Sequence, residues 1–136
     1  MTAAERDAFL AKVRLGILTT LREDGSPVAV PVWFEWDGAA VRVFTSVLSE
    51  KIRRLERDPR ASLLVVNHVG EPEAWVAFDG SVTIRRDGAF ELAERLAQRY
   101  WVLADAGHQA ELGRWRTAAG ALRVLELIPA RIRSSR

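Results

Sequence analysis

FTSVLSEKIRRLERDPRAS, from Phe44 to Ser62, reads as the end of a strand, a turn, a helix and a stop. The β-type run Val41-Arg42-Val43-Phe44-Thr45 finishes in two hydroxyls, Thr45 and Ser46. Ser49 then has the character of an N-cap, Lys51 falls in the first helical turn, and Asp58-Pro59 ends the helix. Hydroxyls, a helix N-terminus and a first-turn lysine are what it takes to hold a phosphate. Unpaired backbone N–H groups and the positive dipole end meet the anion, and the lysine adds a full charge. The competing reading is a solvent-facing helix, because Glu50 with Arg54 and Glu56 with Arg60 have the i,i+4 spacing of supporting ion pairs. On that reading Lys51 is an exposed first-turn cation, mismatched to the dipole by only ~0.3–1 kcal/mol.

Working outward, Thr2-Ala3-Ala4-Glu5 is a capping box that opens a helix through about Val13. Leu15 to Leu21 is β-rich and ends at Asp24-Gly25, a strong hairpin signal. The next run, Val28 to Trp36, is apolar along its whole length and is expected as one strand, with Pro31 placing it at an edge or bulge. Asp37-Gly38 marks a second hairpin into Val41–Thr45. Beyond the helix of residues 49–57, Ala61 to Asn67 and Trp75 to Arg85 read as strands, the latter with a bulge at Gly80. Asp87 is expected to cap a helix from about Ala89 to Trp101, whose apolar residues recur at helical spacing. A short helix from Gln109 to Arg116 and a last strand from Ala121 to Ile128, stopped by Pro129, complete the order. About six hairpin-joined strands with intervening helices imply one α+β domain, residues 1–136, built as a small antiparallel β-barrel.

Composition excludes several chemistries. With 20 basic and 18 acidic residues the net charge is +2, too balanced for a nucleic-acid footprint. There is no cysteine, which removes disulfides, thiolate metal sites and cysteine nucleophiles. No apolar run approaches the ~18 residues of a membrane span, and no signal peptide is evident, so a cytoplasmic protein is expected. None of the nine glycines forms a dinucleotide or Walker motif. His68 and His108 stand alone and read as loop residues, so no metal site is expected. No serine stands in a nucleophile elbow, and no general acid or base can be assigned. An enzyme built from these residues would draw its chemistry from a cofactor. The aromatic run Val30-Pro31-Val32-Trp33-Phe34-Glu35-Trp36 offers a flat apolar wall for a planar ring, or else a core or interface strand.

The segments LGILTTLREDGSPVAVPVWFEW, VRVFTSVLSEKIRRLERDPRASLLVV and AWVAFDGSVTI, in that order and spacing, resemble the pyridoxamine 5'-phosphate oxidase-like split-barrel superfamily. The likeness is to its flavin- and deazaflavin-dependent oxidoreductase branch. The resemblance implies a six-stranded antiparallel split β-barrel (the FMN-binding split barrel) with flanking helices. It also implies a homodimer with cofactor sites at the subunit interface. FMN or the deazaflavin coenzyme F-420 would be the cofactor, with F-420 favoured, and hydride would pass to or from a small or planar substrate. By the same resemblance, Thr45, Ser46, Ser49 and Lys51 hold the cofactor phosphate and Pro31, Val32, Trp33 and Phe34 lie along the ring. Trp75 and Val76 face the site, and Trp115 could reach it across the dimer. Family members often carry an arginine just before the lysine; here Ser49 and Glu50 stand there, leaving Arg53 or Arg54 as substitutes. Nothing between Trp115 and Arg136 matches the substrate motif of the vitamin B6 oxidases, so that reaction is not expected. The alternative on the same fold is a non-catalytic flavin- or haem-binding protein.

Overall fold

A computed structural model describes residues 1–135. The elements run α1 (Ala3–Ala11), β1 (Gly16–Leu21), β2 (Pro27–Val32), β3 (Glu35–Trp36), β4 (Val41–Ser46), α2 (Glu50–Arg57), β5 (Arg60–Val66), β6 (Trp75–Arg85), α3 (Ala89–Tyr100), α4 (Ala106–Thr117) and β7 (Leu122–Ser134). The seven strands form one antiparallel sheet in the order β2-β1-β5-β6-β7-β4-β3. Its two edge strands, β2 and β3, are consecutive in the chain. Only Trp33 and Phe34 separate Val32 from Glu35, three residue steps with a reach of roughly 10 Å. The sheet therefore curls until its edges almost meet, and covalent chain rather than a hydrogen-bonded ladder closes it. That is a split barrel.

Local sequence accounts for much of this. The capping box forms as expected, with Thr2 Oγ1 accepting from Glu5 N at 3.1 Å and Glu5 accepting from Thr2 N at 2.7 Å. Gly25 and Gly38 take the positive φ of the two hairpin turns, at 85° and 94°. The barrel interior is filled by Leu18, Phe34, Leu63, Val65, Phe78 and their neighbours, all but excluded from water. A second, smaller core lies on the outer face of β4 and β7. There Leu122 and Val124 meet the buried stripe of α3: Ala89, Leu92, Ala93 and Leu96.

Several expectations need correction. The run from Val28 to Trp36 is two strands, interrupted at Trp33-Phe34 where the chain crosses the split; this raises the count from six to seven. Pro31 does lie on the edge strand, opposite Ile17. The last strand does not stop at Pro129 but continues to Ser134. Pro129 sits opposite Gly80 where the register shifts, so its missing N–H falls at an irregularity rather than in a regular ladder. Gly80 is required because a Cβ there would run into the carbonyl of Ile128. Asp87 does not cap α3; Gly88 does, in the left-handed conformation, without a side-chain bond. The helix expected from Gln109 starts at Ala106, capped by Asp105. Neither i,i+4 pair of α2 forms: Arg54 turns in to Thr20 and Arg60 pairs with Asp58.

Candidate functional site

The break in the barrel places a cavity. Phe34 turns inward and is completely buried, while Trp33 stays half-exposed on the outside. Around Trp33 opens a pocket of about 420 Å³, walled by Pro31 and Val32 on one side and by Phe44, Trp101 and Trp115 on others. Lys51 stands at its border. The surface is apolar and aromatic with one cation, suited to a flat ring system that carries an anionic tail.

The lysine is positioned from below. Ser49 Oγ accepts from Lys51 N at 3.3 Å and caps α2, and Ser49 N donates to the carbonyl of Ser46 at 2.9 Å. These bonds tie the hydroxyl-bearing end of β4 to the helix start. Burial lowers the Lys51 pKa from the usual lysine value, and the nearby Arg54 charge lowers it further. Among the described residues no carboxylate counters it, so the site presents a half-buried cation in want of an anion. Arg54 itself donates to the buried Thr20 hydroxyl at 2.8 Å, while Arg53 is exposed beside Glu50. Neither arginine lines the pocket.

Of the expected site residues, Pro31, Val32, Trp33 and Lys51 meet at this cavity. Thr45 is buried, Ser46 accepts from Leu48 N at 3.2 Å, and Ser49 caps; these three border the lysine's helix start rather than the cavity wall. Phe34 contributes backbone only: its N–H reaches the Tyr100 hydroxyl at 3.4 Å, which itself donates to the Arg14 carbonyl at 2.6 Å. Trp75 and Val76 are elsewhere within the single chain. Val76 is completely buried in the barrel, and Trp75 lines a separate groove with Thr19, Ser62 and Leu64.

Sequence reasoning missed Leu15, Phe44 and Trp101, and looked for Trp115 only from a partner. Trp115 instead packs against Phe44 in the same chain, with ring centroids 5.1 Å apart. The available signal was the pair of tryptophans flanking an otherwise polar helical segment. His108 is not a loop residue but part of α4, its ring stacked on Trp101 at 4.4 Å. His68 is exposed in the loop after β5. Among the described residues no group of three His, Asp or Glu side chains could hold a metal ion, and no helix is long and apolar enough to cross a membrane.

Comparison with known proteins places these features in context. Residues 2–136 match the family described as pyridoxamine 5'-phosphate oxidase. The chain is 37% identical over 97 residues to an F420H(2)-dependent biliverdin reductase of Mycobacterium tuberculosis, covering 68% of each protein. Among solved structures, a conserved hypothetical protein from Mycobacterium tuberculosis superposes with a TM-score of 0.80 at 24% identity, over 98% of this chain and 84% of that one. A protein named F420 reductase gives 0.75 at 22% identity, over 93% and 94%. At those identities the two structures speak to the fold alone.

Proposed function

Because the chain belongs to the pyridoxamine 5'-phosphate oxidase family, we propose that it is an oxidoreductase using a flavin or deazaflavin. On this reading coenzyme F-420 is preferred over FMN, and the substrate is small or planar. The observation that carries the proposal is Lys51: a half-buried cation without a counter-charge among the described residues, at the border of a tryptophan-walled pocket. The preference for F-420 is supported by the likeness to the mycobacterial biliverdin reductase.

The residues present suit such a group. Lys51 and the capped N-terminus of α2 would take its phosphate, with the hydroxyls of Thr45, Ser46 and Ser49 beside them. Trp33, Pro31 and Val32 would take its ring. The bound cofactor supplies hydride transfer. The chain's own part is to orient the ring along Trp33 beside Phe44 and to hold the anion through Lys51. A homodimer is part of the same proposal. The groove beside Trp75 carries Leu64 and Val66 exposed on the sheet's outer face, a surface suited to a second copy.

Fluorescence titration with F-420 and with FMN tests the reading. Binding of one of them at micromolar levels is expected, and binding of neither overturns it. Lys51→Ala should weaken that binding roughly 10- to 100-fold, the worth of a charge-assisted bond. An unchanged affinity removes the phosphate assignment. Biliverdin, the substrate named for the relative, is the first acceptor to try with reduced F-420.

A further inference from the structure

The aromatic rings around Trp33 do more than wall a cavity. Trp101 stacks on His108 at 4.4 Å with the planes 6° apart, and on Trp115 at 5.0 Å with the planes 26° apart. His108 and Trp115 lie seven residues apart on α4, about 10.5 Å along its axis. That rise is close to the two stacking distances laid end to end, the arrangement of an indole sandwiched between two rings. With both faces taken, Trp101 can meet Trp33 only by its edge. The two indoles are indeed perpendicular, at 88° with centroids 4.9 Å apart. Trp33 has Tyr100 stacked flat on it at 5.2 Å and 1°. The edge of Trp101 therefore lies on the face that Tyr100 leaves free, the face a planar ligand would need.

The element carrying this sandwich is lightly attached. Leu112 is the only buried residue of α4. It lies on the same stripe as His108 and Trp115, and Trp115 also packs on Phe44, so one leucine and a set of rings make up its docking face. A further link to α3 is an exposed ion pair, Arg116 with Glu94 at 3.5 Å. Elements with so little buried surface open at low free-energy cost.

Given the cofactor pocket proposed above, we propose that Trp101 is a plug in its ring site. It occupies the open face of Trp33 and is withdrawn, together with α4, when a planar ring stacks there. A site that must first be vacated binds with an affinity reduced by the fraction of molecules in the open state. Loosening the sandwich should then raise affinity, the reverse of what removing a binding wall would do.

The test is stopped-flow and equilibrium binding of F-420 and FMN, read by the cofactor's own fluorescence, to the wild-type chain, His108→Ala and Trp101→Ala. His108→Ala removes one half of the sandwich and leaves every pocket-lining residue in place. It should speed association and tighten binding by roughly two- to tenfold, the worth of one aromatic pair. Trp101→Ala should do at least as much. Hydrogen exchange at residues 106–117 should quicken when cofactor is bound. Unchanged or weaker binding in His108→Ala, or greater protection of α4 in the loaded protein, overturns the plug. If no variant binds either cofactor, the pocket reading fails and the plug with it.

Discussion

The two helices that border the pocket are held in opposite ways. α2 seats Ile52 and Leu55 in the barrel core and fastens its far end through Arg54 to Thr20 and Arg57 to the Leu21 carbonyl. α4 seats Leu112 and otherwise leans on stacked rings. Both lie beside the same cavity, yet one is seated in the barrel core and the other buries a single leucine of its own. The fixed helix carries the charge that would hold an anion, and the loosely held one carries the rings that flank Trp101, the cover of the apolar wall. A site divided in this way can keep its anchor rigid while its cover opens.

The comparison breaks if paired truncations behave alike. Leu55→Ala should cost about 2–5 kcal/mol of global stability, as for other buried leucines, and lower the melting temperature of the whole domain. Leu112→Ala should instead leave most of the melt intact and show itself as faster hydrogen exchange confined to residues 106–117. Equal losses in Tm would mean that α4 belongs to the same cooperative unit as α2. Gly80→Ala probes the barrel frame on which both helices rest. A Cβ pressed against the Ile128 carbonyl should cost roughly 1–3 kcal/mol, measured by denaturant unfolding, and should not alter α4 exchange selectively.

A smaller effect is expected from Ser49→Ala. Loss of the cap should cost ~1 kcal/mol and weaken cofactor binding with it, because the same turn carries Lys51. The smallest effect is pH-dependent and reaches the wall from behind. The paired Arg14 guanidinium lowers the Glu71 pKa from 4.5 to about 2, with bonds of 2.6 and 3.2 Å. A carboxylate depressed in the folded state adds stability that is present above its unfolded pKa and is lost as pH falls through the folded one. Stability should therefore fall between about pH 4.5 and about pH 2. Glu71→Gln should flatten that part of the profile in thermal melts. Arg14 also offers the carbonyl that anchors the Tyr100 hydroxyl, so the same acid range should loosen the backing of Trp33.

Features set by neighbouring residues are legible in the sequence. The capping box at Thr2, the turns at Gly25 and Gly38 and the α2 cap at Ser49 each follow from groups a few residues apart. Trp33 and Phe34 interrupt the single strand expected there, because one apolar run gives no sign that it crosses between two sheet edges. Pro129 has the local character of a strand stop, yet the strand runs on through it; the register shift that tolerates it depends on Gly80, some fifty residues earlier. Trp101 carries no signal of its own. Its place depends on where α4 folds back, and α4 has no amphipathic pattern strong enough to say.

The residues by themselves determined a hydroxyl-rich helix start with a lysine in its first turn, and an aromatic run next to a proline. Those are local matters of turn geometry, capping and the dipole, settled within a few residues. Only the tertiary structure decided that these two features face one cavity, that Phe34 fills the barrel while Trp33 lines the pocket, and that Trp101 covers Trp33. The reason is closure. The sheet curls through ladders that join β4 to β7 and β1 to β5, pairings between distant segments that no local signal encodes.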